Sequence, residues 1–302
     1  MRRKLCVILY DKDPKATVVL WELKAEAPRG SLTEKCFSLY HLIKVPKKDL
    51  GMEGKYRAIC KLIIQGQNGI ICCGTGFLIN NRTVVTAAHN VCDDYATSIE
   101  VHVGYCEGNH VQHETRWGKH VAINLGYHNY KDHVYDFAVI RLNKPFNKVR
   151  EYIQCRSSST EHPEIAVVGY PQDPQQNKDG QHMHISKGPK GRVEDHVLRY
   201  KLDTTAGNSG SPVLEVRGGK SLRAIGVHFG GLFDDKSNYA AMINQMGNDV
   251  TAFTDSFKIR ESGGGRPIDG TETPKLWKIS PPIKTSATIE KGHRKKDNPK
   301  TR

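Results

Sequence analysis

The sequence predicts an all-β protein of many short strands, followed by one helix near the C-terminus. From about Tyr56 onward, short apolar segments alternate with turn residues, and the chain contains 28 glycines. The segments between the strands are turn-like, not helical, up to residue 248. Strands spaced in this way favour a sandwich or a pair of barrels over βαβ units.

The predicted strands share an apolar, partly alternating pattern and are bounded by turn signals such as Gln67-Asn68-Gly69. In the main β region they cover residues 58–65, 70–73, 76–79, 83–86, 99–103, 121–125, 137–142, 165–168, 183–187, 197–202, 213–216, 224–229 and 239–243. Asn248 and Asp249 then predict a helix N-cap. Val250, Phe253 and Phe257 would lie on one face of that helix.

Both ends of the chain differ from this central region. Residues 1–54 contain strand-like segments at 5–10 and 17–23 among charged and turn residues, which predicts an N-terminal extension or pro-segment. Residues 261–302 are rich in Gly, Pro, Lys and Thr and predict a flexible basic C-terminal tail. The main domain is then expected at 55–260.

The net charge of +13 is concentrated at the two ends. Residues 1–60 carry 13 Lys/Arg against 7 Asp/Glu, and residues 284–302 carry 7 against 2. The central region is therefore almost neutral, and no nucleic-acid partner is expected for it. The basic tail favours a solvated end over a patch for an anionic partner or for nuclear import.

No apolar run reaches 18 residues, so no membrane span is expected. The N-terminus has only a short apolar segment after its basic residues, which predicts a strand and not a signal peptide. An intracellular location is slightly favoured over secretion, and a monomer is expected.

All eight cysteines precede residue 156, and none has zinc-finger spacing. Reduced, mostly buried thiols are favoured because the second half of the chain has no cysteine to bridge. The alternative is a disulfide from Cys73 or Cys72 to Cys92.

Three polar residues in the order His89, Asp136 and Ser209 predict nucleophilic catalysis. A serine hydroxyl is a weak nucleophile unless a base, usually a histidine oriented by a third group, removes its proton. Ser209 lies in a glycine-rich loop whose backbone N–H groups are able to bind an oxyanion, and those of Gly207 and Ser209 are the candidates.

These segments resemble the chymotrypsin-like serine protease superfamily. The matching motifs are VVTAAH ending at His89, DFAV beginning at Asp136, and TTAGNSGSP around Ser209. The resemblance spans roughly residues 56–258. It implies a trypsin-like fold of two six-stranded antiparallel β-barrels with a C-terminal helix, and a serine endopeptidase that needs no cofactor and acts on protein or peptide substrates.

Within that superfamily the chain most resembles the glutamyl-endopeptidase branch, on VGYP at 168–171 and GVHFGG at 226–231. The resemblance implies that Thr204 and a protonated His228 receive an acidic P1 side chain, where P1 is the substrate residue before the cleaved bond. Asp203 makes the opposite claim, since a carboxylate there favours Lys or Arg. The strand at 227–231 is expected to pair with the substrate main chain, with Phe229 and Gly230 in contact with it.

Other interpretations remain open at the level of sequence. Trypsin has an Asp where this chain has Asn208, so activation by an ion pair with a new N-terminus is not expected. A catalytically inactive, protease-like binding protein is the main alternative, for an anionic or a protein partner. A second alternative is the stress-protease branch of the same superfamily, in which a PDZ domain follows the protease domain. It is not favoured, because the residues after the helix are too few and too polar for such a domain. Pairs at His182/His184 and His110/His113 lack a complete ligand set, so no metal site is expected.

Overall fold

The computed structural model describes residues 5–9, 14–24, 42–106, 113–158, 160–173, 178–188, 191–216, 221–231 and 237–268. Its strands, in chain order, are β1 Leu5–Ile8, β2 Val18–Glu22, β3 Ile43–Lys44, β4 Ile59–Gln65, β5 Ile71–Asn80, β6 Thr83–Thr86, β7 Ser98–Val103, β8 Glu114–Asn124, β9 Ala138–Leu142, β10 Gln154–Cys155, β11 Ile165–Gly169, β12 Gln172–Asp173, β13 Lys178–Asp179, β14 His184–Gly188, β15 Arg192–Glu194, β16 Val197–Tyr200, β17 Pro212–Glu215, β18 Arg223–Gly231, β19 Asn238–Met242 and β20 Arg266–Ile268. The protein is mostly β, as the sequence predicts.

Helical segments are few within these ranges. The α-helices are α1 Ala88–Cys92, α2 Leu125–Tyr130 and α3 Val250–Glu261, and 3₁₀ turns cover Pro14–Ala16, Lys47–Leu50 and His133–Tyr135. Helix α3 confirms the predicted C-terminal helix: the Asp249 side chain accepts a hydrogen bond from the Ala252 N–H at 2.8 Å. Phe253 and Phe257 are buried, and the Phe253 ring packs edge-on against Phe137. The helix therefore packs through these rings against the segment that precedes β9.

The first sheet has nine strands, and six of them, β4 to β9, form a closed barrel. Its order is β20-β1-β2-β8-β7-β4-β5-β6-β9, and an additional pairing of β8 with β9 closes the ring. Inward-facing residues such as Leu62, Phe77 and Val101 are fully buried. The catalytic candidates His89 and Asp136 are both carried by segments that adjoin β6 and β9 of this barrel.

The N-terminal strands extend the sheet of this barrel. β2 pairs with β8 over five residues, β1 pairs with β2, and β20 pairs with β1. Trp21 on β2 is almost completely buried, and its indole N–H donates to the Ala96 carbonyl at 3.2 Å. Residues 5–8 and 18–22 therefore contribute directly to the core of this domain.

The second sheet is an open half-barrel. Its order is β15-β16-β19-β18-β17-β11-β14-β3, with β10 beside β18, and within the described ranges no pairing joins its two ends. Buried side chains such as Leu198, Val213 and Ile225 fill its concave face. The two-barrel expectation is thus met by one closed barrel and one open one. The loop between β16 and β17, residues 201–211, contains Ser209 and is called the nucleophile loop after its predicted role.

Among the seven cysteines within the described ranges no disulfide is formed, so no bridge joins Cys72 or Cys73 to Cys92. Cys36 and residues 269–302, which include most of the expected basic tail, lie outside the described ranges. In the part of the chain that the structure describes, none of the helices is long and apolar enough to cross a membrane.

Candidate active site

His89 and Asp136 are in direct contact. The His89 Nδ1 atom lies 2.8 Å from Asp136 Oδ2, and the backbone N–H of His89 donates to Asp136 Oδ1 at 2.9 Å. Asp136 is completely buried, whereas the His89 side chain is 23% exposed. Two hydrogen bonds to one carboxylate fix the position of the imidazole and leave its Nε2 edge as the open one.

The two charges shift each other's pKa. Burial acts to lower the pKa of His89, but the negative charge and hydrogen bond of Asp136 outweigh it, so the pKa of His89 is raised. Burial acts to raise the pKa of Asp136, yet the charge of His89, the hydrogen bonds from His89 and the nearby His133 imidazole hold the pKa of that carboxyl well below its usual range. Asp136 is therefore ionised at neutral pH.

The loop of Ser209 is tied to the segment that carries His89. Asn90 Nδ2 donates to the Ser209 carbonyl at 2.9 Å, and the Thr75 N–H donates to the same oxygen at 2.9 Å. Thr75 Oγ1 also donates to the Gly207 carbonyl at 2.7 Å. Among the described contacts there is no hydrogen bond between the Ser209 hydroxyl and His89; such bonds are often long in unliganded enzymes.

The glycines of this loop are required by its backbone. Gly207 has φ +84°, and a Cβ at this position would lie 2.3 Å from the Tyr170 carbonyl oxygen. Gly210 has φ +86°, and a Cβ there would lie 2.1 Å from the Thr75 carbonyl oxygen. Within the described ranges, the N–H groups of Gly207 and Ser209 have no acceptor.

The candidate specificity residues flank this loop. Thr204 and His228 are buried, and Asp203 between Leu202 and Thr204 is partly exposed. The His228 strand is joined to the nucleophile loop because Gly210 N–H donates to the His228 carbonyl at 2.8 Å and His228 N–H donates to the Ser211 carbonyl at 2.9 Å.

The expected charge of His228 is wrong for the unliganded protein. Burial is the largest cause, and together with the charge of His89 it lowers the pKa of His228 to about 3. The imidazole is therefore neutral at physiological pH, and the sequence did not reveal this because burial is a tertiary property. A neutral ring still offers one N–H to a ligand.

The unpaired edge of β18 is shorter than the 227–231 predicted to pair with a substrate. Strand β17 pairs with β18 as far as Val227, and His228 is bonded to the nucleophile loop. Residues 229–231 have no strand partner on that side within the described ranges. Phe229 lies in an irregularity of the β18–β19 pairing, and its ring stacks on His133 with centroids 5.0 Å apart.

His133 was not identified from the sequence. Its Nδ1 atom lies 3.7 Å from Asp136 Oδ2, so one imidazole contacts both the buried carboxylate and the Phe229 ring. Only its position three residues before Asp136 in the turn Asp132–Asp136 marks it in the sequence. Thr75, Asn90 and Tyr200, which hold Ser209 or His228, were also missed, because their partners are distant in sequence.

The other histidine pairs form local contacts. His184 Nδ1 lies 3.0 Å from the His182 carbonyl, and His102 Nδ1 lies 2.8 Å from His113 Nε2; His110 is outside the described ranges. No group of three or more His, Cys, Asp or Glu side chains within the described residues is arranged to hold a metal ion.

Comparisons with known proteins agree with the fold and the motifs. A protein-family model described as Trypsin matches residues 52–250. The chain is 33% identical over 183 residues to an extracellular metalloprotease of Bacillus subtilis, covering 58% of this chain and 57% of that protein. It is 25% identical over 245 residues to a glutamyl endopeptidase of Bacillus licheniformis, covering 76% and 73% of the two chains. The name metalloprotease describes the Bacillus subtilis protein alone.

A solved structure of a Glu endopeptidase in complex with MPD superposes with a TM-score of 0.58 at 22% identity, covering 73% of this chain and 96% of the other. At that identity the match shows the fold alone. The family match covers about two thirds of the chain and includes the segments of His89, Asp136 and most of the second barrel. The chain therefore belongs to the trypsin family, and its matched region is a serine endopeptidase domain that resembles the glutamyl endopeptidases.

Proposed function

We propose that this protein hydrolyses peptide bonds through a Ser209–His89–Asp136 triad and an acyl-enzyme, and that it prefers an acidic P1 residue. The observation that carries the proposal is the buried Asp136 carboxylate bonded twice to His89, with the Ser209 loop held beside it by Asn90. A serine hydroxyl next to such a pair is the arrangement that nucleophilic catalysis needs.

In the acylation step, His89 Nε2 takes the proton of the Ser209 hydroxyl as its oxygen attacks the scissile carbonyl carbon. Asp136 keeps the Nδ1–H tautomer of His89 and stabilises the imidazolium that forms. The imidazolium then gives its proton to the leaving amine, and a water molecule repeats the sequence to release the acid. No group other than the protein and water is needed to balance these steps.

The tetrahedral intermediate places a negative charge on the former carbonyl oxygen. The N–H groups of Gly207 and Ser209, which have no acceptor within the described ranges, are positioned on the same loop as the nucleophile. Donors that are already oriented cost little reorganisation when the charge develops. They are the proposed oxyanion hole.

Acidic specificity is proposed from Thr204 and His228. Both are buried beside the nucleophile loop, and no described residue is hydrogen bonded to the Thr204 hydroxyl. A hydroxyl and a neutral imidazole are two donors for one carboxylate, and a P1 glutamate would bring the charge that complements them. Asp203 is partly exposed and would oppose this preference if it faced the pocket.

The test is a P1-varied peptide library, read by mass spectrometry for the wild type and for Ser209→Ala. Cleavage after Glu by the wild type, and none by the variant, is the expected result. Cleavage after Lys or Arg would assign the pocket to Asp203. A folded wild type that cleaves nothing would favour the alternative of an inactive binding protein.

A further inference from the structure

Tyr200 and His228 form a short hydrogen bond behind the proposed specificity pocket. The Tyr200 hydroxyl lies 2.7 Å from His228 Nδ1 and 3.4 Å from the Tyr239 carbonyl oxygen, and both side chains are buried. Tyr200 is the last residue of β16, which reaches the His228 strand only across β19. Nothing in the proposed mechanism uses this contact.

The two distances indicate where the phenol proton lies. Hydroxyl donors have typical contact distances of about 2.7–2.8 Å, whereas a contact of 3.4 Å is at the outer limit. If Nδ1 carried a hydrogen, Tyr200 would have to accept at the short contact and donate across the long one. The geometry therefore favours donation from Tyr200 to Nδ1, which makes Nδ1 an acceptor.

Resting on the proposed acidic specificity, we propose that Tyr200 is a positioning residue that keeps His228 in its Nε2–H tautomer. The imidazole then presents a neutral N–H donor to the P1 carboxylate. A neutral histidine has one ring N–H, so a hydrogen-bond donor at Nδ1 forces that N–H to the other side of the ring.

The charged and titratable groups that act on His228 are consistent with a neutral ring. Burial and the charge of His89 on α1 act to lower the pKa of His228, while a hydrogen bond with the Tyr239 backbone and the charge of Asp136 act to raise it and are outweighed. Tyr200 lies on β16, and burial raises its pKa well above the ordinary value, so its hydroxyl stays protonated. Only a carbonyl is contributed by Tyr239 on β19, and a carbonyl cannot donate.

Removing the Tyr200 hydroxyl should move the hydrogen of the His228 ring from Nε2 to Nδ1. In Tyr200→Phe the donor to Nδ1 is lost, and the Tyr239 carbonyl, which lies 3.4 Å from the Tyr200 hydroxyl in the wild type, can instead accept from a protonated Nδ1. Nε2 would then present a lone pair to the P1 carboxylate, and binding of Glu would have to take up a proton. A substrate with Gln at P1, which has the same shape but is uncharged, provides an amide donor and needs no proton.

The experiment compares kcat/KM for two peptides that differ only in Glu or Gln at P1, across pH. We expect the wild-type Glu/Gln ratio to be constant between about pH 6 and 9, because the P1 carboxylate stays ionised and His228 stays neutral over that range. In Tyr200→Phe the ratio should fall about 10- to 100-fold at the alkaline end and rise as the pH is lowered. Titration of His89 affects both peptides equally and cancels in the ratio.

The matched control is Tyr152→Phe, which removes a hydroxyl that donates to the Val149 carbonyl at 3.1 Å in another part of the fold. Its Glu/Gln ratio should equal that of the wild type. A Tyr200→Phe enzyme that keeps the wild-type ratio at all pH values would overturn the role of Tyr200 alone. A wild type that does not prefer Glu over Gln would instead contradict the acidic specificity, and this proposal with it.

A second measurement does not depend on the variant folding. Long-range ¹H–¹⁵N correlation spectra of histidine-labelled wild type distinguish the two neutral tautomers by the ¹⁵N shifts of the ring. His228 should show an unprotonated Nδ1 and a protonated Nε2 at neutral pH. A protonated Nδ1 would overturn the proposal.

Discussion

Asn90, the residue after His89, donates its side-chain amide to the backbone carbonyl of Ser209 at 2.9 Å. The base and the proposed nucleophile are thus joined by a fixed contact that does not involve the reacting atoms. The same amide donates to Thr86 Oγ1 at 3.1 Å, so the contact is anchored in β6. It links the first barrel to the loop between β16 and β17.

Asn90→Ala should lower kcat about tenfold with little change in KM, since it removes one hydrogen bond that positions Ser209 and touches no substrate. Steady-state kinetics with a P1-Glu peptide measures this. Asn143→Ala is the control, because Asn143 accepts a hydrogen bond from the Trp117 N–H in the first barrel. Equal losses of kcat in both variants would contradict a positioning role for Asn90.

Gly207→Ala should reduce kcat by about 10²–10³-fold. The new Cβ would clash with the Tyr170 carbonyl oxygen and so displace the Gly207 N–H, a proposed donor to the oxyanion. Gly69→Ala is a matched control: Gly69 has nearly the same φ, +83°, but nothing lies within 4 Å of its Cβ position. Urea unfolding should show a loss of stability from backbone strain in both variants, and a larger loss in Gly207→Ala because its Cβ also clashes with the Tyr170 carbonyl. If Gly69→Ala also lost activity at that scale, general strain would explain the result.

The pH profile should report the ion pair of the triad. Because Asp136 raises the pKa of His89, kcat/KM for an uncharged P1 substrate should rise with pH through a value above that of an ordinary histidine. In Asp136→Asn the raising charge is lost and the wrong tautomer is favoured. That variant should lose about 10⁴-fold in kcat, and an activity limb that stayed in place would show that another group titrates.

The candidate specificity residues His228 and Asp203 make separable predictions. His228→Ala should reduce cleavage after Glu selectively, and Asp203→Ser should leave it intact or increase it, since a competing carboxylate is removed. The readout is the Glu/Gln ratio of kcat/KM at constant pH. Should Asp203→Ser abolish cleavage after Lys or Arg while His228→Ala leaves the P1 profile unchanged, the pocket would be a basic-specific one.

The N-terminal strands should stabilise the protease fold directly. Trp21→Ala is expected to cost about 3–5 kcal/mol in the free energy of unfolding, because a fully buried indole and its hydrogen bond to Ala96 are lost. Glu22→Ala, at the exposed end of the same strand, should change it little. A Trp21→Ala protein as stable as the wild type would favour a dispensable extension or pro-segment.

Much of the fold could be predicted because its signals are local. Short apolar runs predicted strands close to their observed bounds, as at 83–86 and 165–168, and the Asp249 cap with Phe253 and Phe257 predicted helix α3. The short helices α1 and α2 were missed because five or six residues carry too weak a period to detect. Closure of one barrel and not the other depends on pairing between distant strands, which no local pattern contains.

The site divides in the same way. The motifs around His89, Asp136 and Ser209 are visible in the sequence because each is a short run of residues. The contacts of Tyr200 with His228, and of His133 with Asp136 and Phe229, arise from register across three strands or from a turn. The neutral state of His228 also follows from burial, and the sequence therefore suggested the opposite charge.

The central claim is that Ser209 is the nucleophile activated by His89. The most direct measurement is reaction with a fluorophosphonate, followed by peptide mapping of the adduct by mass spectrometry. One adduct per protein on the peptide containing Ser209, lost in Ser209→Ala and strongly slowed in His89→Ala, is the predicted result. An adduct on a different residue, or one that persists in Ser209→Ala, would contradict the account.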